Sequence, residues 1–309
     1  MGGAGGAGQA PGADGGDGAV LRCRGAAVAE WNSGAGVEPH LSPRPYLHPV
    51  RTFGGTVVTE VRPEDHRHHL GVGVAVPDID GSSFWGGTTF VRDRGPVLLD
   101  NHGRQEHLGW DAAEETRLVE RLSWTGRDGV ELLTEVRETA AWELDASTWA
   151  LDLRTRLHAG ERDLEVSSPA TKGRPGAGYG GYFWRAPKHA EPPRVLGPGA
   201  EGEEALHGSR APWLALLGTA GTGARWSLVF AAAGGFADPW FLRAAEYPGV
   251  GGSLAWRHPL RMAARSAVER RVVTLVTDGH PDPARLPGLV SSARARLGAP
   301  EPVRFTSVE

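Results

Sequence analysis

The sequence predicts an all-β fold, a large antiparallel β-sandwich with one short helix near the C-terminal end. Three observations lead to this prediction. About a dozen strand-like segments follow one another, with turn residues at the roughly 8–12 residue spacing of a large sandwich. Glycine is abundant, with 45 residues among 309, which suits many turns and disfavours a helix-rich chain. Residues 285–297 alone have a helical pattern.

The two ends of the chain are predicted to be tails. Residues 1–18 are almost wholly Gly, Ala, Asp, Gln and Pro, a composition that cannot bury enough apolar area to fold. Residues 301–309 are predicted to be a short C-terminal tail. Residues 19–300 then form one β domain, a length that such domains reach.

The strands follow in order between these tails. Early strands are predicted over residues 20–31, 56–61, 72–76 and 88–91, where apolar and β-branched residues lie between turn signals. Residues 116–124 and 130–142 flank a Gly-Arg-Asp-Gly turn and form a hairpin. In residues 149–158, apolar and polar side chains alternate strictly, as in a half-buried strand. Residues 213–218 and 225–231 form another hairpin, and strands follow at 240–247 and 270–277.

Composition excludes several classes of function. The net charge of −4 comes from mixed signs without a basic block, which argues against nucleic acid as a partner. No stretch approaches the roughly 18 apolar residues that cross a bilayer, so we expect no membrane insertion. The N-terminus lacks the pattern of a secretory signal, and we expect a cytoplasmic protein. One cysteine, Cys23, cannot form an internal disulfide.

The densest group of ionisable side chains lies in residues 63–71, directly before the predicted strand at 72–76. It contains Asp65, His66, His68 and His69. If the strand extends back through this segment, His66 and His68 share one face, and Asp65 and His69 the other. Such a cluster can transfer protons, hydrogen-bond a polyhydroxylated ligand or ligate a divalent metal. The alternative is an exposed turn whose imidazoles are satisfied by backbone carbonyls.

Three further segments carry candidate residues. His102, Arg104 and His107 suit a polar ligand, because imidazole and guanidinium both donate hydrogen bonds; a solvated loop is the alternative. The long glycine-bearing loop 169–182 and the segment after it combine cations for anion contacts with aromatic rings for stacking. Glu246 lies beside a turn, as a possible general base or an exposed turn residue. The 11 tryptophans can stack on sugars or fill the core.

The motifs resemble those of a known bacterial family. Residues 44–51 (Arg-Pro-Tyr-Leu-His-Pro-Val-Arg), 65–71 (Asp-His-Arg-His-His-Leu-Gly) and 84–87 (Phe-Trp-Gly-Gly) resemble the family labelled "methane oxygenase PmoA", also described as the DUF6807 domain. Residues 172–185 and 211–213 fit the same family. The label of this family is not taken as its activity. The membrane methane monooxygenase subunit of that name consists of transmembrane helices, and no segment of this sequence has the pattern of such a helix.

A more distant resemblance is to the galactose-mutarotase-like supersandwich, a large antiparallel two-sheet fold that binds sugars in a concave groove. Residues 107–110, His-Leu-Gly-Trp, are similar to a His-Gly-Phe segment of hexose epimerases, in which a histidine acid and a glutamate base open the sugar ring. The resemblance implies His107 as the acid and Glu246 as the base. The segment 65–69 is not a mutarotase feature and indicates a different sugar chemistry.

We therefore predict a protein that acts on a small-molecule carbohydrate or a sugar-derived acid by acid–base chemistry of the epimerase, lyase or hydrolase type. The predicted catalytic residues are His68, His69, His107, Asp65 and Glu246. The predicted substrate-binding residues are His48, His66, Trp85, His102, Arg104, Lys172, Arg174, Tyr179, Tyr182, Trp184 and Arg185. The sequence identifies no certain cofactor; a divalent metal is possible, with Asp65, His66, His68 and His69 as its ligands. The alternatives are a non-catalytic carbohydrate-binding module and a metal-dependent oxidoreductase.

Overall fold

The strand-rich pattern of the sequence produces two large antiparallel sheets in a computed structural model, which describes residues 18–233 and 238–297. The all-β sandwich and its short C-terminal helix are confirmed. Residues 1–17 of the predicted N-terminal tail and the whole predicted C-terminal tail lie outside the described residues. Within the described ranges, no helix has the length and apolar character that a membrane span needs.

The smaller of the two large sheets has seven strands in the spatial order β1-β2-β3-β4-β13-β19-β18. Their bounds are β1 Val20–Cys23, β2 Ala26–Asn32, β3 Tyr46–Val50, β4 Val72–Ala75, β13 Gly181–Arg185, β18 Trp240–Arg243 and β19 Gly249–Gly252.

The larger sheet has nine strands in the order β15-β14-β16-β17-β21-β11-β10-β9-β8. Their bounds are β8 Arg104–Ala113, β9 Arg117–Thr125, β10 Glu131–Asp145, β11 Thr148–Ala159, β14 Arg194–Gly197, β15 Ala200–Glu201, β16 Trp213–Thr219, β17 Arg225–Ala233 and β21 Ala267–Asp278.

Two small sheets and two α-helices complete the described chain. The small sheets combine β5 Asp78–Ile79 with β12 Leu164–Ser167 and β20 Leu260–Met262, and β6 Thr89–Val91 with β7 Gly95–Val97. The helices are α1 Glu203–Leu206 and α2 Leu286–Ala295, and short 3₁₀ turns lie at Pro39–Leu41 and Pro283–Arg285.

The main core lies between the two large sheets because strand side chains alternate between faces. On β13, Tyr182 and Trp184 point inward: the Tyr182 hydroxyl is 2.8 Å from Thr274 Oγ1 on the larger sheet, and the Trp184 ring packs 5.7 Å from Phe230. Helix α2 covers the opposite face of the larger sheet with Leu286 and Val290. The helix is therefore remote from the smaller sheet's outer face.

A buried polar network ties the two large sheets together. Arg137 on β10 is 3% exposed and donates to both oxygens of Glu135, at 2.8 and 2.7 Å. The same guanidinium donates to Pro45 O and to Gln105 Oε1, and Gln105 in turn donates to Val74 O on the smaller sheet. Every member has a partner, as a buried charge requires.

Two predicted strands differ from the structure. Residues 56–61 are joined to their neighbours only through isolated contacts, such as Val58 N to Val50 O and Glu60 N to Arg185 O. The strand predicted over 240–247 ends at Arg243, after which the chain bends away from the sheet until β19 begins. The irregular segment 56–61 places Glu60 on the outer face of the smaller sheet, and the bend after Arg243 places Tyr247 there.

Candidate active site

The histidine segment forms a closed loop, residues 61–70, which we call the histidine loop. Val61 and Leu70 pair as an isolated antiparallel bridge. Inside it, His66 N donates to Pro63 O at 3.0 Å and His69 N donates to His66 O at 2.9 Å. These are consecutive turns and not a strand, so the predicted alternation of faces along this segment is wrong.

The turns bring three imidazoles together. The rings of His66 and His69 stack with centroids 4.6 Å apart, and His68 meets His69 edge to face at 4.7 Å. His66 and His68 are 5.7 Å apart. His69 is 1% exposed, whereas the side chain of His66 is 22% exposed and His68 is partly exposed. A ligand can therefore reach His66 and His68, while His69 lies behind them.

Arg185 supports the histidine loop from the sheet. It points outward on β13, is completely buried, and its Nε and Nη2 donate to Glu60 Oε2 at 3.0 and 2.8 Å. Its Nη1 lies 3.3 Å from His69 Nδ1, and its Cζ lies 4.6 Å from the centroid of the Tyr247 ring. Since a guanidinium only donates, His69 Nδ1 accepts and the proton of this imidazole lies on Nε2.

The electrostatics of the histidine loop keep the buried imidazoles neutral. Burial, followed by the nearby Arg44, lowers the pKa of His68 to about 3. The pKa of His69 lies well below its ordinary value, again because of burial first and then the neighbouring His68. A buried imidazole flanked by cations loses more by charging than it gains. At neutral pH both side chains can donate one hydrogen bond and accept one.

Asp65 supplies the negative charge at the exposed edge of this cluster. Its Oδ2 is 3.4 Å from His66 Nδ1 and 3.9 Å from Lys188 Nζ, and its Oδ1 is 3.7 Å from Arg185 Nη2. Although partial burial acts in the opposite direction, the charges of Arg185 and then His66 lower the pKa of the Asp65 carboxyl. The carboxylate is ionised at neutral pH and partly accessible.

Backbone contacts fix the position of His68. Arg44 is buried and donates from Nη2 to His68 O at 2.6 Å, and from Nη1 to two further backbone carbonyls. A Cβ added to Gly87 would lie 2.7 Å from His68 Nδ1, so the ring rests directly on this glycine. His102 Nε2 is 2.8 Å from Gly87 O. His102 therefore contacts the same glycine that supports the His68 ring.

Aromatic rings extend from the imidazoles across the outer face of the smaller sheet. Tyr247 is 4.5 Å from His66 and 5.1 Å from His69. Trp85 lies 5.8 Å from His69 and 6.3 Å from His68 and packs on Phe183 at 4.9 Å. These rings form a buried cluster with Phe241 and Ala75. The candidate site is thus an imidazole group with a carboxylate at its edge and an aromatic wall.

A small cleft adjoins Trp85. Its walls include Trp85, Tyr179, Asp78 and Lys172. The cleft is narrow, with room for about one water molecule. Three of the predicted substrate-binding residues, Trp85, Lys172 and Tyr179, therefore line this cleft.

Some predicted site residues lie elsewhere in the fold. Tyr182 and Trp184 face the core between the large sheets, and the Trp184 indole donates to Val58 O at 2.8 Å. Arg104 is exposed on β8 and is 3.0 Å from Glu106. Arg174 is exposed in the loop before the cleft. The structure does not bring these four side chains to the histidine loop.

His107 also lies apart from the histidine loop. Its Nδ1 is 3.1 Å from Glu120 Oε2, and its ring packs between Trp31 at 5.0 Å and Trp110 at 4.5 Å. Trp31 belongs to the smaller sheet and His107 to the larger one. His107 therefore lies between the sheets, and not on the outer face that carries the other imidazoles.

Two predicted residues lie at the margin of the site. His48 is half-buried on β3, with its Nδ1 2.9 Å from Thr59 Oγ1, and burial lowers its pKa. Glu246 is exposed beside Tyr247, whose hydroxyl has a pKa raised mainly by burial. Neither makes a ring or hydrogen-bond contact with the three imidazoles.

Sequence reasoning missed several members of the site. Glu60, Tyr247, Arg44 and Lys188 contact the imidazoles or their supports, and none was predicted as a site residue. Arg44 stands in one of the family motifs, which was a usable signal. Glu60 and Arg185 are 125 residues apart in the chain, and no local pattern marks such a pair.

The described residues contain no group of three His, Cys, Asp or Glu side chains arranged to hold a metal ion. The residues considered as metal ligands were Asp65, His66, His68 and His69. Two of these rings, His66 and His69, stack face to face, and His69 Nδ1 is already occupied by Arg185. Their lone pairs do not converge on one point.

Comparisons with known proteins give one family and several distant structural likenesses. Two solved structures of heparinase III, one with methylated lysines, align with 81% of this chain, with TM-scores of 0.32 and 0.30 at 9% and 10% identity. The chain covers only 32% and 33% of their length, and likeness at this level carries no inference about activity. A search of curated proteins found no match. The family of unknown function DUF6807 matches residues 18–291, which confirms the relationship predicted from the motifs: the chain belongs to this family.

Proposed function

We propose that the protein binds a carbohydrate or sugar-derived acid at the histidine loop and transfers a proton on it. The observation that carries this proposal is the convergence of three imidazoles, a carboxylate and two aromatic rings on one outer face. Neutral imidazoles and a carboxylate match a ligand that presents many hydroxyl groups, since each can donate or accept. Trp85 and Tyr247, which are 5% and 6% exposed, pack behind the imidazoles and hold them in place.

The pKa values suggest which group plays which part. His68, with a pKa of about 3, stays neutral at physiological pH and keeps one N–H that it can donate. A neutral imidazole of lowered pKa can polarise a carbonyl oxygen by donating a hydrogen bond. Asp65 is ionised and partly exposed. In the proposed step the C–H bond beside the carbonyl breaks, its proton passes to the Asp65 carboxylate, and His68 stabilises the negative charge that develops on the oxygen.

Deuterium exchange tests the chemistry, and ligand-induced stabilisation tests the binding. A panel of sugars and sugar acids is first screened for a rise in Tm, since a ligand that binds the folded state raises it. Each stabilising sugar is then incubated with the protein in deuterated water, and proton NMR follows the loss of the signal of the exchanging C–H.

The expected result is catalysed exchange that falls by about 10²–10⁴-fold in Asp65→Asn and in His68→Gln, the usual contribution of a group that moves a proton. His258→Gln is the matched control, because His258 is exposed outside the sheets and is not a member of the histidine loop. Stabilisation without exchange would show a carbohydrate-binding module. Absence of any stabilisation across the panel would contradict the proposal as a whole.

A further inference from the structure

We propose that the protein has a second ligand site, a polar cavity between the larger sheet and helix α2, which binds a small hydroxylated molecule that carries a carboxylate or a phosphate group. The cavity lies on the side of the larger sheet that α2 covers, whereas the histidine loop lies on the outer face of the smaller sheet. One small ligand cannot contact both places, so this inference does not depend on the proposed function.

The cavity has room for a ligand. Its volume is about 270 Å³, which is the volume of about nine water molecules in the liquid. Its walls come from the β10–β11 turn, the start of β17, the end of β21 and the first turn of α2. Backbone hydrogen bonds join these walls: Asp278 N donates to Ser147 O at 3.0 Å, and Gly279 N donates to Arg225 O at 2.7 Å. The cavity is therefore formed before any ligand enters.

Two buried hydroxyl groups line the cavity at the end of an apolar sheet face. Thr148 and Thr277 are 1% and 3% exposed and are direct neighbours on β11 and β21. Because residues two apart on a strand share a face, they lie on the same side as Ala150 and Leu275, which pack under α2. Thr277 Oγ1 donates to Thr148 Oγ1 at 3.2 Å. The sheet face thus changes from apolar to polar where the cavity begins.

Two guanidinium groups of the cavity are unpaired. Arg225 begins β17 and Arg285 precedes α2, and both are exposed. Within residues 18–233 and 238–297, neither guanidinium has a hydrogen bond or an ion pair. On the same sheet Arg271, by contrast, pairs with Asp152 at 2.6 Å. A guanidinium presents a planar fork of donors that fits the oxygens of a carboxylate or a phosphate, so Arg225 and Arg285 can hold an anionic group.

The two carboxylates of the cavity are held by other donors. Asp145 Oδ1 accepts from Ser147 N at 2.9 Å and from Ser147 Oγ at 3.0 Å, and Asp278 Oδ2 accepts from Gly54 N at 2.9 Å. In the part of the chain that the structure describes, no ion pair joins either carboxylate to the two guanidinium groups. Each carboxylate keeps lone pairs that can accept from a ligand hydroxyl. Donors and acceptors together match an anion on a hydroxylated body better than a bare anion.

His280 adds an imidazole to the cavity wall. Its Nε2 lies 2.9 Å from Gly218 O. A backbone carbonyl only accepts, so Nε2 carries a proton and donates it there. This contact fixes the ring and leaves Nδ1 for a ligand.

Isothermal titration calorimetry of the full-length protein with four small molecules tests the site. Glycerol 3-phosphate and glycerate carry a phosphate and a carboxylate on the same hydroxylated body, glycerol lacks the anion, and inorganic phosphate lacks the body. Ionic strength is held constant, because salt screens exposed charges. We expect glycerol 3-phosphate or glycerate to bind at least about tenfold more tightly than glycerol and inorganic phosphate, a difference of one good charge-assisted hydrogen bond. The tighter of the two anions identifies the group that the arginines hold.

Three variants separate the cavity from the rest of the surface. Arg225→Gln and Arg285→Gln each remove one guanidinium and should weaken binding by about tenfold or more. Arg257→Gln is the matched control, because Arg257 is exposed, does not line the cavity and loses the same charge. All three arginines are exposed, so the Tm of each variant should equal that of the wild type.

The outcomes distinguish a built site from general attraction of anions. Weaker binding in Arg225→Gln and in Arg285→Gln, with Arg257→Gln equal to the wild type, would support the site. Equal weakening in all three variants would show attraction by the overall charge of the protein and would overturn the inference. Equal affinity for glycerol and for the two anions would also overturn it, as would the failure of all four molecules to bind. The proposed function is tested separately, by C–H exchange.

Discussion

Replacing His69 by asparagine should make the protein less sensitive to acid. His69 is 1% exposed, and its pKa lies well below the ordinary value because of burial and the adjacent His68. In the unfolded chain the same imidazole has a pKa of about 6.5. Below that pH the His69 imidazole is protonated in the unfolded state but stays neutral in the folded state. The stability that a neutral His69 contributes is therefore present above about pH 6.5 and is lost as the pH falls.

The size of this loss of stability follows from the pKa of His69 in the unfolded chain alone, provided that its pKa in the folded protein lies below the pH range studied. Between pH 7 and pH 5, one such histidine costs about 2 kcal/mol of unfolding free energy. The asparagine of the His69→Asn variant does not titrate, and its side-chain oxygen can accept the hydrogen bond that Arg185 Nη1 directs to His69 Nδ1. Its smaller volume lowers stability at every pH, so the informative quantity is the change with pH and not the absolute value.

Urea unfolding followed by tryptophan fluorescence measures this difference at pH 7, 6 and 5, with the slope m compared between proteins to confirm that the same surface unfolds. The wild type should lose about 2 kcal/mol more than His69→Asn between pH 7 and pH 5. His258→Asn makes the same chemical change at an exposed loop position and should follow the wild type. Equal losses in the wild type and in His69→Asn would refute the assignment of a neutral, buried imidazole.

Three further predictions concern the supports of the site. Gly87→Ala places a Cβ 2.7 Å from His68 Nδ1, whereas Gly95→Ala, at a similar positive φ (+78° against +73°), meets no atom within 4 Å; the first should cost about 1–3 kcal/mol more than the second in urea unfolding. Arg185→Lys keeps the charge but loses the two-pronged contact with Glu60, and should lower the free energy of unfolding by about 3 kcal/mol in the same assay. Because no three metal ligands converge among the described residues, zinc, manganese and iron should leave the Tm unchanged in a thermal-shift assay. A metal-dependent rise in Tm that disappears in His68→Gln would contradict this.

The alternating sequence patterns predicted the fold because they are local. The apolar positions of β11, such as Leu151 and Leu153, face the core as their period of two requires. The same rule could have excluded two predicted site residues. Tyr182 and Trp184 alternate with Phe183 and Arg185, so all four could not line one ligand site. The prediction grouped these residues by their charges and aromatic rings, although alternate residues of a strand face opposite sides of the sheet.

The site was predictable only in part because its contacts are non-local. The density of imidazoles marked the histidine loop, and glycine-bearing loops marked Trp85 and Lys172. Glu60 reaches Arg185 only because residues beside β3 and β4 pair with β13, which is a property of sheet order and not of any short segment. His107 was selected from a distant resemblance, and its place on β8, against Trp31 between the sheets, follows from tertiary packing.

Glycines explain why the site is on the outer face of the smaller sheet. The His68 ring rests on Gly87, and a Cβ at Gly249 would lie 2.8 Å from the Tyr247 ring, so neither ring could keep its place above a larger residue. A ring held against backbone has fewer alternative positions than one held by flexible side chains. Here Gly249 is fixed in β19, and Gly87 N donates to His40 O at 2.9 Å. Arg185 then donates to the His69 imidazole, and Arg44 donates to the backbone carbonyl of His68. A ligand meets groups whose positions are set in advance, and this reduces the ordering cost of binding. The small residues of this face are therefore as much a part of the site as its histidines.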